Sequence, residues 1–354
     1  MCAGPCDSTR GCAVSRGMTG RVEIVNGTEL RLRDAHGPGV SITFQRTLRI
    51  PDDGRTYPLP PGLGAFPLRL VRDYASRVPR GWAARGGVFL PMYQREAMWL
   101  SFGGEPHALK IGIGKVCAVS GERWREGLAA APQSYVVVGP QPWLDGIASG
   151  TGTIRQFVAM PLGMGYTVEG QITGEEKHGG IQLQSYPAKP GRLARYEADD
   201  EDCCVGTALC EEATELECRA SGQMGLGAGG CMDQKIYPDK YGIDTWDLGA
   251  GARVFVHLVN SELWREITGE APPPTPVTAR SYAEAGLPWF DLYDEAAPTI
   301  SPTSKLAGVK SIKQIDQAKS TLPLQDDAPV AVKKVKKLWW KHHPGAVIVD
   351  DGEW

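Results

Sequence analysis

Apolar and polar residues alternate with a period of two along much of this chain. In residues 40–50, Val40, Ile42, Phe44, Leu48 and Ile50 fall on one side and Ser41, Thr43, Gln45, Thr47 and Arg49 on the other. That spacing predicts a β-strand with one packed face. Only Arg46 interrupts the apolar side, and a charge there reads as a bulge or strand-end residue. Four more runs, at 134–138, 153–160, 166–172 and 180–186, are rich in β-branched and aromatic residues and bounded by glycine or proline. Each predicts a strand, the last with Ile181, Leu183 and Ser185 packed and Gln182, Gln184 and Tyr186 wet. Shorter strands are expected at 66–71, 87–90, 96–102, 109–113 and 253–259. Asn26-Gly27 between two apolar runs predicts a hairpin. Gly112 and Gly114, inside a strand pattern, mark a bulge or a close backbone approach.

Helical spacing is sparse. Residues 261–267 with Ser261 as the cap, 278–285, and a repeat of three within 305–319 predict short helices only. The expected fold is mostly β: an antiparallel β-sandwich or jelly-roll-like core with short helices and extended terminal arms. The chain divides into an N-terminal arm with the hairpin at 1–39 and a β-rich core at 40–270, whose loop at 197–231 is acidic and bears cysteines. A proline-rich, short helical segment at 271–320 is expected to pack on the core, followed by a basic-aromatic tail at 321–354.

With 354 residues the chain can form one large domain or two ordinary ones. Glycine and proline supply about one residue in five, which implies many turns. A net charge of −3 gives no global basic field for nucleic acid. No run approaches the roughly 18 apolar residues of a membrane span, and no secretory leader is visible before Val22. The chain therefore reads as soluble, without nucleic-acid or membrane-spanning partners. Nine cysteines bear on the compartment. Cys117 sits alone in an apolar run and reads as a small buried hydrophobe. Cys2, Cys6 and Cys12 precede the hairpin, and Cys203, Cys204, Cys210, Cys218 and Cys231 lie in or near the acidic loop at spacings that do not match a zinc site. Disulfide, zinc and free thiol all stay open as readings. A cytoplasmic location is the default, and an extracellular one would follow if the cysteines pair.

Candidate chemistry is thin. The loop at 141–146 sets Trp143 beside Asp145, and with Gln156 and Glu169 these predict a polar pocket with an aromatic wall, suited to a carbohydrate or a peptide. The competing reading has Trp143 packed, Asp145 closing its own turn and Glu169 on the wet face of a strand. The glycine-rich run at 225–230 lacks the lysine and hydroxyl of a phosphate loop and reads as a flexible connector. Nine carboxylates between 197 and 217 read as a solvated loop. There is no metalloprotease, nucleophile-elbow or Walker motif. Cys117 with His178 or His257 is the remaining thiol arrangement for a hydrolase. No catalytic, cofactor-binding or metal-ligating residue is assigned.

The segments FQRTLRIPDD (44–53), QPWLDG (141–146), RQFVAMPLG (155–163), GYTVE (165–169), GLPWFD (286–291) and GEW (352–354) resemble a family of uncharacterised bacterial and fungal proteins. Some of its members carry the label of integral membrane protein, which this hydropathy contradicts. The likeness runs from about residue 40 onward. It implies a single continuous unit and no established activity, fold or catalytic residue.

The run KKVKKLWWKHH at 333–343 is basic and aromatic. It reads as an arm docking on another subunit or on its own core rather than on nucleic acid or a membrane surface, since only five lysines contribute and Asp350, Asp351 and Glu353 follow. A cationic tail and an anionic loop in one chain suit head-to-tail association of copies. The leading expectation is thus a structural or interaction protein that self-associates into a homo-oligomer or filament. The alternatives are a carbohydrate- or peptide-binding module and a hydrolase of unknown substrate.

Overall fold

A computed structural model describes residues 20–34, 37–193, 222–292, 297–320 and 328–338. The acidic block at 197–217, seven of the nine cysteines and the tail beyond residue 338 lie outside the described residues. Strand makes up 39% and helix 16%, so the fold is mostly β, as the alternation predicts. Asn26 and Gly27, at φ 50° and 72°, fold β1 (Arg21–Val25) back on β2 (Glu29–Arg33) as the expected hairpin. There follow β3 (Val40–Thr47), the short β4 (Thr56–Tyr57), β5 (Gly62–Ala65) and β6 (Arg69–Leu70), helix α1 (Arg80–Arg85) and β7 (Val88–Pro91). Next come β8 (Ala97–Gly104), β9 (His107–Ile113), β10 (Val116–Cys117), β11 (Val136–Val137), β12 (Trp143–Leu144), β13 (Gly146–Gly150) and β14 (Thr153–Pro161). Helix α2 (Val168–Thr173) precedes β15 (Ile181–Pro187), β16 (Gln223–Asp233) and β17 (Ala252–Val259). Helices α3 (Ser261–Thr268) and α4 (Ala279–Glu284), strand β18 (Trp289–Leu292), helices α5 (Ser304–Ala307) and α6 (Ile312–Ala318), and strand β19 (Val335–Leu338) complete the order.

The large sheet bends into two layers. One runs β1–β2–β3–β8–β14–β16, antiparallel throughout. The other runs β7–β17–β15–β9, with β10 and β11 added on β9 and β7 parallel to β17. They meet where Gln223 and Met224, at the start of β16, pair with Val259 and Leu258, at the end of β17. Leu30, Ile42, Phe44, Leu100 and Phe157 from the first layer and Leu90, Ile111, Leu183 and Val256 from the second belong to one buried cluster. Its burial is the main favourable term holding this sandwich-like arrangement. From the C-terminal segment, α6 docks through Ile312 and Ile315, and its buried Asp316 receives a two-pronged bond from Arg95 at 2.8 and 2.9 Å.

Several expectations need correction. Residues 166–172 are not a strand: the Thr167 hydroxyl accepts the Gly170 amide at 3.0 Å, and Gly174, in the left-handed region, closes α2. Two caps here outweigh a β-branched composition. Residues 225–230 are not a flexible connector but the buried middle of β16. A Cβ at Gly225 would lie 2.8 Å from Thr167, at Gly227 2.9 Å from the Tyr166 carbonyl, and at Gly230 2.3 Å from the Pro51 carbonyl. Glycine is present there because other chain segments press on this strand. All seven residues of β15 are buried, so its expected wet face is covered. Tyr135, Tyr186 and Trp246 form a second cluster there, and Gln182 donates to the Gly114 carbonyl. The strands expected at 134–138 and 66–71 shorten to β11 and β6, the run at 40–50 leaves the ladder after Thr47, and α3 is capped by Asn260 instead of Ser261. Arg46 does sit at a bulge, where the β3–β5 register shifts between Gln45 and Thr47. Its buried guanidinium donates to Glu96 at 2.7 Å and to the Pro274 carbonyl at 2.6 Å.

Candidate functional site

The four residues that the sequence singles out do not converge. Trp143, in β12, is half-buried edge-on to Trp99, with ring centroids 6.3 Å apart. Asp145 is buried, and its carboxylate accepts from Gln234 Nε2 at 2.5 Å; burial pushes its pKa up to about 7 against that hydrogen bond. Gln156 is buried too: its Nε2 donates to the Leu48 carbonyl at 2.8 Å and its Oε1 accepts the Ile50 amide at 3.0 Å. Asp145 and Gln156 are close along the chain fold, since Gly146 pairs with Gln156, but each side chain serves its own structural partner. Glu169 lies apart, buried in the first turn of α2 and not on the wet face of a strand.

Around Glu169 the chain builds a different site. Its Oε1 accepts the Lys115 amide at 3.0 Å, and its Oε2 accepts the His178 and Gly179 amides at 3.3 and 2.9 Å. One carboxylate thus ties α2 to the β9–β10 turn and to the loop before β15. A Cβ at Gly114 would stand 2.4 Å from that carboxylate, and its φ is +54°, so both space and backbone require glycine. The second marked glycine, Gly112, admits Trp124: a Cβ there would stand 2.6 Å from indole Cε3. Residues 122–125 run beside β10, with Val116 bridged to Arg123 and the Trp124 amide donating to the Lys115 carbonyl at 2.8 Å. Lys110 fastens this segment by donating to the Arg125 and Gly127 carbonyls at 2.7 and 2.6 Å, and its Nζ stands 5.0 Å from the centre of the indole. The indole thus packs on Lys110 and Gly112 of β9 and also lines a cleft.

That cleft, about 290 Å³, is lined by Trp124 with Lys115, Arg123, Thr173 and Glu175, and by Glu169 and His178. Burial raises the Glu169 pKa above the usual carboxylate range, opposed by its three amide donors. Arg85 Nη2 meets His178 Nδ1 at 2.9 Å; a guanidinium only donates, so Nδ1 accepts and the ring is neutral with its proton on Nε2. Burial, then the charges of Arg85 and Lys115, lower the His178 pKa and favour that neutral form. Arg123 Nη2 donates to the Thr173 carbonyl at 3.1 Å across the cleft. A second cleft of about 420 Å³ shares Arg123 and is lined also by Arg125, Gln171, Ile172, Glu122 and Lys305. Sequence reasoning finds Glu169 but misses Trp124, Lys115, Arg123 and Arg125; the signal pointing to them is the Gly112 and Gly114 pair.

The thiol arrangement is not assembled. Cys117 is a buried free thiol that donates to the Ser134 carbonyl at 3.2 Å. His257 stacks on Trp82 with ring centroids 4.5 Å apart, its Nε2 lies 3.0 Å from the Gly86 carbonyl, and burial lowers its pKa to about 4. Among the described residues, no cluster of three histidine, cysteine or acidic side chains could hold a metal ion, and no helix is long and apolar enough to cross a membrane. Comparison of the chain with protein-family models, curated proteins and solved structures finds no match.

Proposed function

We propose that this protein is a binding module for a saccharide, taken up in the cleft beside α2. The observation that carries the reading is Trp124: its indole is seated on β9 and lines the cleft together with a buried carboxylate and several donors. A sugar ring has an apolar C–H face to lie on an indole and hydroxyls around its rim to take up Lys115 and the Nε2–H of His178. The lining favours a sugar over a peptide, because Trp124 is its one large apolar side chain and peptide side chains would need apolar walls. Titration calorimetry against a panel of mono- and oligosaccharides tests this. Trp124→Ala should weaken binding about tenfold or more, the loss of one aromatic stacking contact, while Trp143→Ala leaves it unchanged. A panel without a binder, or equal affinity in Trp124→Ala, would overturn the reading.

A second reading, self-association of copies, is favoured by one observation. Strand β19 pairs in parallel with β18, Val335 opposite Trp289 through Leu338 opposite Leu292, yet residues 333–337 are exposed. Backbone bonds more than packing hold it in place, and a strand from another copy offers the same bonds.

A further inference from the structure

We propose that the saccharide is acidic, and that Arg123 and Arg125 receive its carboxylate or sulfate while a neighbouring ring lies on Trp124; this rests on the saccharide reading just given. Charge pairing in the two clefts, which share Arg123, favours an anionic ligand. Their carboxylates are already committed: Glu122 to Lys305 at 2.6 Å, Glu175 to Lys177 at 3.2 Å, and Glu169 to three backbone amides. Of their cations, only Lys305 is so paired. Lys115, Arg123 and Arg125 make no ion pair among the described residues, and Arg123 donates only to a carbonyl. Arg123 lines both clefts, and Arg125, two residues on, lines the second, so the two guanidinium-bearing residues flank Trp124 in sequence and border the clefts. A guanidinium offers a planar fork of donors that matches a carboxylate or a sulfate in two-point contact, and an exposed pair of them suits an anionic group attached to a ring already held elsewhere. A neutral sugar would gain from these forks only hydrogen bonds to hydroxyls, without the charge-assisted two-point contact.

Calorimetry on the full chain, with four probes, tests this: an oligogalacturonate, its methyl ester with the same rings and no charge, a sulfated oligosaccharide, and a single-stranded oligonucleotide of matching charge. The acidic oligomers should bind, and esterification should weaken the first about tenfold or more, the loss of one charge-assisted contact. Arg125→Gln should reproduce that loss for the acid and leave the ester unaffected; its side chain makes no hydrogen bond among the described residues, so the fold should tolerate the change. Arg123→Gln, which also loses the bond to Thr173, serves as the second variant. The preference should shrink between about 0.05 and 0.5 M salt, because exposed charges are screened. Preference for the carboxylated or the sulfated probe identifies the anion, and either supports the inference. An ester bound as tightly as the acid would overturn it while leaving the saccharide reading standing. Failure of every saccharide would overturn both, and so would tighter binding of the oligonucleotide.

Discussion

Replacing Asp145 with asparagine should make the protein more stable at neutral and alkaline pH and no more stable in acid. The carboxyl is buried beneath β13 with one donor, Gln234 Nε2, and its pKa stands at about 7 against an ordinary 3.8. The folded state therefore holds a proton that the unfolded chain has released. A raised carboxyl contributes stability that is fully present below about pH 4 and is lost as pH rises through about 7. A gap of about 3 pH units, at about 1.4 kcal/mol each, amounts to about 4 kcal/mol lost by pH 8. Asparagine stays neutral and keeps the Gln234 contact through its carbonyl oxygen, but its amide N–H needs a partner, a cost of about 1 kcal/mol. The variant should then be about 1 kcal/mol less stable below pH 4, equal to wild type near about pH 4.5, and about 3 kcal/mol more stable at pH 8. Urea unfolding under reducing conditions at pH 4, 6 and 8 measures the three differences. A difference that does not change with pH would refute the reasoning, since a carboxyl with the same pKa folded and unfolded gives no such slope.

Arg95→Met should destabilise by about 3–5 kcal/mol at pH 7, because it strands the buried Asp316 carboxylate. Burial raises the Asp316 pKa, but the hydrogen bonds from Arg95 and Tyr166 and the Arg95 charge outweigh it and hold the pKa below the ordinary value, so this group stabilises above that value and the contribution fades as pH falls. Thermal melts at pH 7 and pH 3 should show the wild-type advantage shrinking in acid, and a constant gap would argue against the pairing. For the tail, native mass spectrometry of the full chain and of a chain ending at Lys334 should show oligomers for the first and fewer or none for the second; monomers throughout would remove the self-association reading.

Period-two patterning was enough for β3, β14 and β17 because their sidedness is written in consecutive residues. It misled at 166–172, where Thr167 and Gly174, at the two ends of six residues, decide the conformation and the β-branched residues between them do not. The strand at 225–230 was not legible for another reason. Glycine there answers to Thr167, Tyr166 and Pro51, which are distant in sequence, and local composition carries no record of them. The site shows the same division. Gly112 and Gly114 announce that something approaches the backbone, but the approaching groups, Trp124 and Glu169, are fixed only when residues 122–125 fold beside β10 and α2 closes over the turn.

Those tie-points also set what each cleft residue can contribute to binding. Glu169 is clamped by three amides, Trp124 is seated on Gly112 and Lys110, and His178 is oriented by Arg85, so a ligand meeting them does not have to order them. Arg125 has no such support and must be immobilised when an anion arrives, which offsets part of its charge-assisted bond, and salt screens the remainder. Affinity should therefore be set at the indole and discrimination at the arginines. Loss of Trp124 should weaken every saccharide that binds, whereas loss of Arg125 should weaken only the acidic ones, and that asymmetry is what separates a saccharide cleft from a merely basic surface.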